Sequence, residues 1–188
     1  MRTASEPVPA PRPAPAYALH AAVAQADRAL ALLAALAMVA AFAAVSAGVI
    51  ARLAGADLPG TDAYAGYAIA AALFLALPQT LRRQEHIRVT LLLDRLAPKA
   101  RAALEWWSLL AGFALALYLA VYALRLVWLS HAMHDVSPAA DATPLWIPQL
   151  ACALGCAGFA LSLADAIVAR WHGLPYFERL AEDASHVE

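Results

Sequence analysis

Four runs of 19 to 23 residues carry no charged side chain: 29–51, 63–81, 106–124 and 142–164, each bounded by charged residues. A helix rises 1.5 Å per residue and needs about 20 apolar residues to cross a hydrocarbon core. Lipid tolerates only structures that satisfy their own backbone hydrogen bonds, so runs of this length predict transmembrane helices rather than strands or loops. The fold class expected is therefore all-α and integral to the membrane, with four transmembrane helices. Composition agrees: 63% of the 188 residues are hydrophobic and 14% charged, against roughly 45–50% and about 25% in a soluble domain. The segments between and beyond the four runs are too short for a substantial core of their own, so any chemistry belongs to the bundle or to a partner.

The basic residues order these helices across the membrane. Arg2, Arg12 and Arg28 precede the first; Arg82, Arg83, Arg88, Arg95, Lys99 and Arg101 lie between the second and third; Arg170 and Arg179 follow the fourth. Only Arg52 and Arg125 fall on the opposite side. The positive-inside rule then puts both termini and the middle connection in the cytoplasm. Residues 1–16, rich in Pro and Ala and without the basic-then-apolar order of a signal peptide, read as a disordered tail. The membrane domain follows at 17–172, with spans at about 29–51, 63–81, 106–129 and 144–168, and a second cytoplasmic tail occupies 173–188.

The middle connection has a pattern of its own. In QEHIRVTLLLDRL, Val89, Leu92, Leu93 and Leu96 recur at helical spacing on one face, with Arg88 and Arg95 on another. This predicts an amphipathic helix at about 84–97 lying in the cytoplasmic interface, its Leu face among acyl chains and its Arg residues among anionic headgroups. The alternative is a cytoplasmic extension of the second helix. Pro98 suits the first turn of the next helix, and Trp106 and Trp107 mark one interface with Trp128 at the other. Arg125, one turn inside Trp128, is expected to snorkel outward. Pro78 removes a hydrogen bond near the end of the second helix; Gln79 either bonds the freed carbonyl or faces the interface. Cys152 and Cys156, one turn apart, read as small apolar core residues.

Several chemistries lack their residues. Haem ligation needs His within the apolar runs, yet His20 and His186 fall in the tails and His86, His131, His134 and His172 in connections or at edges. His131, His134 and Asp135 read as a solvated loop edge rather than a metal site. Ser46, Ser108 and Ser162 have no His at their own depth to activate them. A pump or channel needs charges in mid-membrane, and the four runs contain none. Asp165 comes closest, as an interfacial group or a partner for Arg170 or a neighbouring subunit. No catalytic residue, metal site, substrate site or cofactor is expected, and the basic middle connection suits lipid headgroups rather than nucleic acid.

The segment LALPQTLRRQEHIRVTLLLDRL combines an apolar helix, Arg82-Arg83, His86-Ile-Arg-Val89, a Leu run and Arg95-Leu96 before a Pro. It resembles the small permease subunit, the DctQ type, of tripartite ATP-independent periplasmic (TRAP) transporters. The opening of the fourth run, Thr143-Pro-Leu-Trp-Ile-Pro148, with Gly155 and Gly158 beyond it, is similar to the same family. Thr90, where members often carry Asp, and the lone Asp62 ahead of the second helix depart from its pattern. The resemblance implies a non-catalytic subunit in a bacterial inner membrane. Its implied partners are a large permease bearing the substrate and sodium sites and a periplasmic protein delivering an organic acid. Candidate residues for anchoring to headgroups or to the large subunit are Arg82, Arg83, His86, Arg88, Leu92, Leu93, Arg95 and Asp165. The competing readings are a membrane redox or quinone-binding enzyme subunit and a general lipid-binding scaffold.

Overall fold

The computed structural model describes residues 14–56, 58–83 and 97–172. They form four helices: α1 (Ala14–Leu53), α2 (Thr61–Arg82), α3 (Pro98–Met133) and α4 (Trp146–Trp171). All four are long and apolar enough to cross a membrane. The only β-type pairing among the described residues is an isolated bridge between Val136 and Pro144. The segment expected as an interfacial helix at 84–97 lies outside the described residues, apart from Ala97, which caps α3 ahead of Pro98.

α1 starts far upstream of the span expected at 29–51, inside the segment read as a tail. Its first half is rich in Ala, the best helix former. Arg28, which bounds the charge-free run, does not interrupt the helix, and Asp27 beside it is satisfied inside the protein.

The helices form a slab rather than a square bundle. α4 lies at its centre and packs on the other three, α2 sits between α1 and α4, and α3 leans on α4. Small residues make this possible. On α1, Asp27, Ala34, Ala41 and Gly48 are buried at seven-residue intervals. On α4, Ala153, Gly155, Cys156, Gly158, Ala160, Ser162 and Ala166 are buried. Such stripes let backbones approach closely, which in lipid supplies much of the association energy.

The closest approach is main chain on main chain. Pro78 has no N–H for the carbonyl four residues back, that of Phe74. A Cβ at Gly155 would collide with that carbonyl and stand 2.9 Å from Leu75 N. One turn along, a Cβ at Gly158 would collide with Leu30 of α1 and lie 3.1 Å from Pro78 Cγ. The Gln79 side-chain oxygen, Oε1, is buried without a hydrogen-bond partner among the described residues. Cys152 and Cys156 are free thiols, the second buried with Ala116, Ala120, Ala160 and Leu163 between α3 and α4.

Candidate functional site

At the end of the slab that holds the start of α1 and the end of α4, three charged side chains are almost completely buried together. Asp27, Arg82 and Asp165 are 1%, 5% and 4% exposed, and Ser162 beside them is 0% exposed. They come from three helices: Asp27 from α1, Arg82 from the last turn of α2, Ser162 and Asp165 from α4.

Arg82 is the hub. Its Nε donates to Asp27 Oδ2 at 2.9 Å, and its Nη2 lies 2.8 Å from the same oxygen. Nη2 also reaches Asp165 Oδ2 at 3.5 Å. The other oxygen of Asp27 accepts from the Ser162 hydroxyl at 2.7 Å, and that hydroxyl lies 3.0 Å from the Gly158 carbonyl. The carboxylate is the stronger acceptor, since a charged partner shortens and strengthens the bond. His20 Nδ1 stands 2.8 Å from Asp165 Oδ2. A carboxylate only accepts, so Nδ1 carries the proton in this bond.

Buried charge is costly unless its lone pairs and protons are met, and here each carboxylate has a charged partner as well as a neutral or ring N–H or O–H donor. Around the cluster the same end is tied further. Glu105 of α3 meets Arg170 of α4 at 2.7 Å and Arg101 at 3.2 Å. The Arg170 guanidinium lies 5.5 Å from the centre of the Trp106 ring, and Trp106 meets Trp171 edge-on. Asp165 sits six residues before Trp171, about 9 Å further into the slab at 1.5 Å per residue.

Of the anchoring candidates, the structure brings Arg82 and Asp165 together. Asp165 is not the partner of Arg170, which pairs with Glu105 of α3: five residues apart on α4, the two side chains leave the helix in directions about 140° apart. Arg83 follows α2 with its side chain exposed. His86, Arg88, Leu92, Leu93 and Arg95 lie outside the described residues. Two members of the cluster were passed over in the sequence. Asp27 stands one residue ahead of Arg28, which bounds the first charge-free run, and His20 reads as part of a tail, whereas α1 carries both. All three charges lie just beyond the ends of the charge-free runs, where they are buried against one another. The available signal was the seven-residue stripe Ala34, Ala41, Gly48, which Asp27 extends by one step.

The opposite end is built from loops. Gly60, at φ 86°, precedes α2, and a Cβ there would approach Asp141 Cβ at 2.9 Å. Asp141 accepts from Tyr67 Oη at 3.2 Å, Ser137 Oγ at 2.9 Å and the Thr143 N–H at 3.3 Å. The Thr143 side chain beside it, with Ser137 and nearby backbone N–H groups, holds the Asp141 carboxyl below the usual carboxylate range. His134 ends α3 in the left-handed conformation and His131 packs edge-on against Trp146. Arg52 and Asp62 pair at 3.0 Å, both well exposed.

Compared with known families, residues 41–173 match the model for the DctQ component of tripartite ATP-independent periplasmic transporters. No curated protein and no solved structure matches the chain. The matched region includes Arg82, Ser162 and Asp165; Asp27 and His20 precede it.

Proposed function

Because the chain belongs to the DctQ component family of tripartite ATP-independent periplasmic transporters, we propose that it is the small membrane subunit that braces the large permease. The permease would carry out sodium-coupled uptake of organic acids delivered by a periplasmic binding protein. The subunit would reside in the inner membrane with both termini in the cytoplasm, in accord with the distribution of Lys and Arg.

The observation that carries the bracing role is the Asp27–Arg82–Asp165 cluster. A subunit against which a partner moves must keep its own helices fixed. A buried ion-pair network specifies one arrangement, because slippage of any helix strands a charge in an apolar setting. On this reading the small subunit needs no transport chemistry of its own, and substrate choice belongs to the other chains. His86, Arg88 and Arg95 would meet anionic headgroups or the large subunit, with Leu92 and Leu93 in the acyl region.

Affinity purification of the tagged chain from native membranes should bring down a large polytopic permease; isolation of the chain alone would refute the assignment. Replacing both Leu92 and Leu93 with Asp should lower complex yield, since each Leu contributes about 1.5–3 kcal/mol if fully buried. Wild-type yield and uptake in that double variant would remove the anchoring role.

A further inference from the structure

Two outward faces of the slab differ in kind. Along α1 the exposed side chains are apolar throughout the span: Leu32, Leu36, Val39, Phe42 and Val49 are each about half exposed or more. This is a surface suited to acyl chains. On α3, Tyr118 and Tyr122 point away from α4, opposite the buried Ala116 and Ala120, and are 58% and 49% exposed. Their rings lie 4.4 Å apart. Arg125, exposed in the same register, continues the stripe at four and seven residues from its start. Neither hydroxyl and no Arg125 nitrogen has a partner among the described residues.

Depth makes this stripe informative. Trp107 and Trp128, 69% and 70% exposed, mark the two interfaces along α3. Tyr118 is eleven residues from the first and ten from the second, so about 15–17 Å from either at the helical rise. That is the middle of a hydrocarbon core of about 30 Å. A phenol cannot reach water from there, so snorkelling, open to Arg125, is closed to Tyr118. Left against lipid, its hydroxyl would stay unpaired in a medium with no donors or acceptors, which is unfavourable.

We propose that the Tyr118–Tyr122–Arg125 face of α3 is covered by a transmembrane helix of the large permease subunit. That helix presents hydrogen-bond acceptors at the depth of the two tyrosines and a carboxylate or free backbone carbonyl at the depth of Arg125. This rests on the small-subunit reading above. A second copy of the chain fits less well, because a two-fold pair of α3 helices would set Arg125 against Arg125 at one depth. The α1 face is left to lipid.

The test places the photocrosslinker p-benzoylphenylalanine at position 118 or 122, and separately at 39 or 42, in membranes containing the whole transporter. Adducts with the large subunit are expected from 118 and 122 and not from 39 or 42. Adducts from 39 or 42 alone, or none from any position in a complex that still co-purifies, would overturn the assignment of the face and leave the partnership standing. An adduct from 118 to a second copy would overturn the choice of occupant. Failure of the unsubstituted chain to co-purify with a large subunit would overturn the small-subunit reading and this proposal with it. As a second readout, the Tyr118→Phe, Tyr122→Phe double variant should reach the membrane at normal abundance and retain roughly eightfold less large subunit, the expected effect of two interhelical hydrogen bonds. Unchanged retention would show that the hydroxyls are not what the partner reads.

Discussion

The two ends of the slab join the same four helices by opposite means. At one end, side chains inside the helices make the connection: Asp27, Arg82, Ser162 and Asp165 are shut away from water and answer one another's charge. At the other, the helices have ended, and turns carrying Gly60, Asp141 and Thr143, each partly open to water, are tied by a web of bonds around the buried Ser137. Burial makes the first arrangement unforgiving, since a lost partner leaves a charge with nowhere to go. Exposure makes the second adaptable, since water replaces whatever is removed. The same chemical pairing, an arginine with an aspartate, therefore carries very different weight as Arg82–Asp27 and as Arg52–Asp62.

Asp27→Ala is the substitution that should separate the ends most. It takes from Arg82 its two closest carboxylate contacts, and removal of one partner from a buried pair costs about 3–5 kcal/mol. A large drop in the thermal unfolding midpoint in detergent is expected; a drop no greater than that of Arg52→Ala would erase the distinction between the ends. Next comes Gly60→Ala, which forces a side chain into a left-handed conformation and against Asp141. An effect of about 1–3 kcal/mol is expected from backbone strain of this kind, read in the same melt.

Acid should act on the loop end through Asp141. Its carboxyl is held below the ordinary range when folded, so the folded state binds fewer protons than the unfolded chain between the two values. Its contribution is complete above the unfolded value and is lost as pH falls through the folded one. The difference in melting midpoint between wild type and Asp141→Asn should thus be present at neutral pH and vanish in acid; a pH-independent difference would mean that the asparagine perturbs the loop by shape alone. Smallest of all, Arg52→Ala should change stability by about 0–1 kcal/mol, as solvated pairs do, and by less in high salt.

The contrast between the ends also explains what could be read from the sequence. Helix number followed from the apolar runs because lipid imposes a length on any chain that crosses it, and the DctQ family was legible in the residues around Arg82 and Thr143. The site was half legible. Arg82 and Asp165 stood out as charges beside apolar runs, but a search for charge-free runs treats every charge as a boundary. It therefore discards any acidic residue whose partner sits on another helix, such as Asp27. Pairing between positions 55 and 135 residues apart has no local signature, and only the small-residue stripe of α1 pointed to the buried face. His20, about two turns further upstream, pairs with a residue 145 positions away and has no local signature either.

The contact of Gly155 with the Phe74 carbonyl bears on motion. Most helix pairs are separated by side chains, and each rotamer hop lets the axes breathe on the picosecond to nanosecond scale. Between α2 and α4 there is no such cushion at this point: peptide group meets peptide group, and neither has a rotamer to change. Small displacements imposed at one helix should therefore pass to the other undiminished, and the two should vibrate and tilt as a single stiff body. A mobile neighbour pressing on either would feel the mass of both.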